Sequence, residues 1–179
     1  FLEKVPMPYR HIIKIQNSLL QCYFDTDETQ ESFEKLINDK NYNFSRYNFF
    51  LINYLLSQDK NVEAKKIIQD SREKYGSNLL IKQTEFFFQN DENKKISDVF
   101  DCKNSEDSLA EFFYIIANLY SSEKDYRLSN FYLRVSLFLN NKFLTNKALL
   151  AENYYYQKKN KASKNTYYSI KSIGPIYFW

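Results

Sequence analysis

A chain of 179 residues with only 2 glycines and 3 prolines is poorly supplied for a sheet-rich fold. Tight turns between strands draw on Gly and Pro for their special backbone angles, so scarcity of both favours long helices joined by short polar loops. The 16 Tyr and 16 Phe pull the other way, because aromatic side chains suit strands better than helices. Hydrophobic spacing decides between the two. Ile12, Ile13, Ile15, Leu19, Leu20 and Tyr23 recur at intervals of three and four, the period of one helix face. The same period returns in segment after segment, separated by Asp25-Thr26-Asp27-Glu28, Asn41-Tyr42-Asn43, Asp59-Lys60-Asn61, Asn90-Asp91 and Asn104-Ser105-Glu106-Asp107.

This spacing predicts about ten helices in five antiparallel pairs, over about 9–40, 45–75, 78–102, 108–141 and 143–173. Ser45 and Ser108 are expected to cap helix starts, and Gly76 to close a helix end in the left-handed conformation. Turns of two to five residues force sequential helices to pack as hairpins, and a row of such hairpins is the pattern of an α-solenoid.

A register test sharpens the reading. Shifting the stretch Leu109–Asn141 by about 34 residues lays Ile116-Ala117 on Leu150-Ala151, Tyr120 on Tyr154, Ser129 on Ser163, Leu133 on Tyr167 and Asn141 on Pro175. Small residues fall where two helices cross, and bulky ones where successive hairpins meet. A looser copy runs through Leu51-Ile52, Leu55, Ala64, Ile68 and Ser71. This order resembles the tetratricopeptide repeat family, with the best-defined repeats at 110–143 and 144–177. The run from Ser108 to Tyr120, with Pro175 to Phe178, is similar to uncharacterised alphaproteobacterial members of that family.

The resemblance implies an all-α fold, a right-handed superhelix of antiparallel helix pairs forming one domain over 1–179. It implies a protein-binding or peptide-binding scaffold, or else a regulatory or accessory helical domain of a larger envelope-associated or enzyme-bearing protein. In such solenoids the first helix of each pair lines a concave groove. The tentative peptide-binding face is then Arg46, Phe49, Asn53, Tyr114, Asn118, Glu152 and Tyr155, together with Leu56, Glu111, Ser121, Thr145 and Ala148 of the same register. The chain reads as an excerpt, with Gly174-Pro175 opening another repeat and an apolar end prone to self-association.

Other chemistries find little support. The net charge is +3, from 25 basic and 22 acidic residues. That is too small a sum to point to nucleic acid or a membrane surface. The abundance of Lys, Asn, Ile, Phe and Tyr follows AT-rich codons. Cys22 and Cys102 lie too far apart in sequence for a metal or redox motif. The simple expectation is two buried, reduced cysteines, a disulfide requiring the fold to bring them together. His11 is the single histidine and has no partner motif for base catalysis. Glu28 with Glu31 and Asp98 with Asp101 fall at helical spacing but read as solvated faces. Two glycines leave no phosphate-cradling loop. No catalytic residue, cofactor or metal is expected. No apolar run approaches the roughly 20 residues of a membrane span, so the segment reads as soluble, cytoplasmic or periplasmic.

Overall fold

The computed structural model describes residues 9–76 and 78–171. Among these the chain is all-helical, with ten helices: α1 (Arg10–Phe24), α2 (Thr29–Ile37), α3 (Tyr47–Ser57), α4 (Asn61–Tyr75), α5 (Leu79–Gln89), α6 (Asn93–Val99), α7 (Ser105–Ser122), α8 (Tyr126–Leu139), α9 (Leu144–Tyr156) and α10 (Asn160–Lys171). They fall into two compact units, residues 1–105 and 106–179. The expectations placed on Gly174-Pro175 and the closing aromatics lie outside the described residues.

One backbone device recurs along the chain. Asp25, Asp59, Asp91, Lys124 and Lys158 all have positive φ, at separations of 34, 32, 33 and 34 residues. Each follows the first helix of a pair. The next amide reaches back five residues, from Thr26 to Gln21 at 3.1 Å, Lys60 to Leu55 at 2.9 Å, Glu92 to Phe87 at 2.8 Å, Asp125 to Tyr120 at 2.9 Å and Lys159 to Tyr154 at 2.9 Å. This is the Schellman closure, which satisfies orphan carbonyls with one left-handed residue. Gly76, by contrast, has φ −56°, so the left-handed cap expected there is absent. Both Ser caps are also displaced. The Ser45 amide is held by Asn43 Oδ1 at 3.0 Å while α3 begins at Tyr47, and α7 begins at Ser105, three residues before Ser108.

In the N-terminal unit α3 is the central helix. Its residues Tyr47 to Asn53 and Leu55 are all buried, as a helix apolar on nearly every side must be. Phe33 and Leu36 of α2, Ala64 and Ile68 of α4, Leu80 and Ile81 of α5 and Ile96 of α6 complete the core. Lys14 of α1 is ion-paired with Asp39, just beyond α2. The hydrogen bond from that ammonium, with the Asn41 amide, holds the Asp39 carboxyl below the usual carboxylate range.

The C-terminal unit is built from α7 to α10. Ala117 and Ala151 are fully buried, as are Ser129 and Leu133, and Ser163 is nearly so. Ala117, Leu133, Leu150 and Tyr154 form one cluster, with Tyr114, Tyr132, Leu137, Leu149 and Ala162 packed against it. The Tyr120 ring lies parallel to Tyr132 at 5.6 Å between centroids.

Polar side chains stitch the same helices together. Asn153 and Asn146 are seven residues apart on α9, and Ser129 and Ser136 are seven apart on α8. Asn153 Nδ2 donates to Ser129 Oγ at 2.7 Å, and Asn146 Nδ2 to Ser136 Oγ at 2.9 Å. Ser136 in turn donates to the Ala110 carbonyl at 2.7 Å, and Ser121 to Asn153 Oδ1 at 2.7 Å. All four ladder residues are fully buried, so these bonds satisfy groups that water cannot reach.

Candidate functional site

The structure divides the residues singled out for peptide binding. In the N-terminal unit, Phe49 and Asn53 are buried and cannot meet a partner. Asn53 is covered because α6 is only seven residues long. The chain leaves it in an extended conformation at Phe100 and lies directly against α3. Asn53 Nδ2 donates to the Ile96 carbonyl at 3.1 Å and to the Phe100 carbonyl at 2.9 Å, and the Phe100 ring packs edge-on to Phe50 at 4.7 Å. Asn53 thus binds backbone, but the backbone belongs to its own chain. Arg46 is half-buried with its guanidinium 5.9 Å from the Phe50 ring centre.

The same segment is locked at its far end. Cys22, near the end of α1, and Cys102 form a disulfide with a Cα–Cα distance of 5.6 Å. This corrects the expectation of two reduced cysteines, since the fold brings together residues 80 apart in sequence. Lys103 Nζ adds an ion pair with Asp25 at 3.1 Å. A small cleft of about 170 Å³ remains here, walled by both cysteines, Asn53, Tyr54 and Asp101. Segment 96–103 therefore lies against α3 and is tied to α1 through Cys22.

In the C-terminal unit the equivalent face is open. Asn118 of α7 and Glu152 of α9, 34 positions apart, are both exposed, and Tyr155 is 63% exposed. Tyr156 beside it donates to Glu152 Oε1 at 3.4 Å, and the Glu152 charge holds its phenol above the usual tyrosine range. Tyr114 is half-buried against the Ala117–Leu133 cluster and Glu111 is fully buried, so both belong to packing. Ser121 is taken up by Asn153.

A larger cleft, about 320 Å³, lies in the N-terminal unit between α2 and α4, with Asn48 and Leu55 of α3 among its lining residues. Gln30 spans its rim, donating to Glu34 and to Glu63 at 3.0 Å each and accepting from Lys60 at 2.7 Å. The Ser71 hydroxyl, also in the lining, is buried without a hydrogen-bond partner. Sequence spacing gave no sign of this cleft, because it depends on the angle between two second helices.

His11 lies against Tyr42 with ring centres 5.2 Å apart. Among the described residues, no group of three or more His, Cys, Asp or Glu is placed to hold a metal ion, and no helix is long and apolar enough to cross a membrane. Comparison with protein families, with curated proteins and with solved structures finds no match for this chain.

Proposed function

We propose that this chain is a non-catalytic helical-repeat scaffold of the tetratricopeptide type, a right-handed superhelix of helix pairs that binds an extended segment of another protein. The carrying observation is the open face of the C-terminal unit, where Asn118 and Glu152 stand at matching positions on two first helices and Tyr155 is exposed one turn beyond Glu152. Asn and Glu side chains can bond a peptide backbone, and a Tyr ring adds flat contact area. The recurring Schellman turns support the repeat reading, because each unit of about 34 residues ends its first helix in the same way. With Asn53 engaged by the backbone of its own chain, the proposed peptide-binding face narrows to its residues on α7 and α9.

A selection of peptides on the full chain tests this. The double substitution Asn118→Ala with Tyr155→Ala is expected to weaken selected peptides at least about tenfold, the loss of roughly 1.4 kcal/mol of contact. Both side chains are exposed, so the helical circular dichroism spectrum should not change. Selected peptides that bind the double variant as tightly as the parent would refute the assignment.

The disulfide favours the envelope-associated form of the second reading. Such bonds persist in oxidising compartments such as the bacterial periplasm and are rare in reducing ones. Thiol trapping in intact cells checks it: a bridge formed in the native host supports an oxidising location, and two free thiols oppose it.

A further inference from the structure

The charge of +3 conceals a strong asymmetry. From Tyr126 to the end, the sequence holds nine Lys and Arg but a single acid, Glu152. The 125 residues before it hold 16 basic and 21 acidic residues. The excess therefore begins with α8, which carries no Asp or Glu of its own.

That helix also has an uncovered apolar stripe. Leu128, Phe131, Val135 and Phe138 follow at steps of three, four and three, which places them on one side. Phe138 is 88% exposed, Phe131 59% and Leu128 39%. Arg127 and Arg134 fall on the same side of α8 at 100° per residue, Lys124 and Lys142 sit in the turns just before and just after the helix, and all four are exposed. The Arg134 guanidinium also donates from Nη2 to Tyr154 Oη at 2.6 Å, which holds that end of the side chain in place. The nearest acids, Glu123 and Asp125, lie in the turn ahead of the helix, and Asp125 is engaged as its cap, accepting from the Leu128 amide at 3.1 Å. Tyr126 stacks on Tyr156 at 5.5 Å, which brings the Lys158-Lys159 turn beside the basic start of α8.

We propose that the outward face of α8 docks on an anionic phospholipid bilayer. Aromatic and aliphatic side chains flanked by cations on one helix face are what an interfacial helix needs, the rings entering the headgroup region while the cations meet lipid phosphates. Shape and size favour this occupant. The stripe is a ridge along one helix, whereas helix-in-groove recognition needs a depression. Three exposed apolar side chains fall short of the roughly 800 Å² per partner of a stable protein interface. A fluid bilayer needs no matched surface. A nucleic acid would satisfy the cations but leave Leu128 and Val135 with nothing to stack on.

Sedimentation of the whole chain with vesicles tests the proposal. Vesicles of phosphatidylcholine with about one third phosphatidylglycerol should bind it and pure phosphatidylcholine should not, since each cation near an anionic surface contributes about fivefold. Lys124→Gln with Arg127→Gln should then weaken binding about 25-fold on the same scale. Phe131→Ser with Phe138→Ser should weaken it at least tenfold, about the effect of losing one partly buried ring. Lys65→Gln with Lys66→Gln on α4 should leave it unchanged. Equal binding to neutral vesicles overturns the proposal. So does a phenylalanine pair variant that binds like the parent. Tight binding of single-stranded RNA that survives the phenylalanine changes, without vesicle binding, reassigns the face to nucleic acid.

Discussion

Removing the Cys22–Cys102 bridge should cost more stability than any other small change in the N-terminal unit. The bridge closes a loop spanning 80 positions of sequence, from the end of α1 to the segment beyond α6. Chain entropy for a loop of that length gives about 4.5 kcal/mol at 25 °C, from holding the unfolded chain in fewer conformations. Measured losses for native bridges run about 2–5 kcal/mol. Because domains of this size are stable by only about 5–15 kcal/mol, that is a large share. The variant Cys22→Ala with Cys102→Ala avoids burying new hydroxyls in a place that is nearly solvent-free. Urea unfolding followed by circular dichroism measures the effect. With a slope near 2 kcal/mol/M, the midpoint should fall by about 2 M. Hydrogen exchange should show the loss in α1 to α6, since both ends of the loop lie in that unit. Segment 96–103 should lose protection first, because it would then lose its covalent tie to α1 and keep non-covalent contacts such as the Asn53 bonds and the Phe50–Phe100 packing. Two reactive thiols in the denatured but unreduced protein would refute the reasoning at its root. A midpoint unmoved by reductant or by the double substitution would refute the magnitude.

Two further perturbations probe the C-terminal unit. Asn153→Ala removes the donor to Ser129 Oγ and the acceptor of Ser121 Oγ, and it leaves the Ser129 hydroxyl sealed from water. The expected loss is about 2–4 kcal/mol by urea unfolding, combining two bonds with one unsatisfied group. A cycle with Ser129→Ala should recover about 1 kcal/mol or more of it, and strict additivity would argue against the ladder. Lys124→Gly and Lys158→Gly should each stabilise the fold. Relief of the left-handed strain of about 1–2 kcal/mol exceeds the extra backbone entropy of Gly, about 0.5–1 kcal/mol. A rise of about 0.5–1 kcal/mol per site is expected from the unfolding midpoint, whereas a fall would show that the lysine side chains contribute contacts at those turns.

The parts of the fold legible in the sequence are those decided by neighbours along the chain. Helical period is local, so Ile12 to Tyr23 and the later stripes mark helices without any knowledge of what covers them. The turns were visible as polar clusters, yet their mechanism was not, because the left-handed position falls on Asp or Lys instead of Gly. Asparagine within a helix is unfavourable on propensity alone. Asn146 and Asn153, spaced by seven and matched by Ser129 and Ser136 at the same spacing, therefore carried a readable sign of a buried ladder. What spacing could not carry was the path of the chain after a short second helix. The assignment of Phe49 and Asn53 to an open groove assumed that each hairpin continues the geometry of the last. With α6 only seven residues long, the chain turns back early, and Phe100 and Cys102 reach α3 and α1. A groove-facing asparagine and a clamp on the chain's own backbone are the same residue at the same register. Only the path of the chain after the short α6 separates them, and it is that path, not the motif, that buries Asn53.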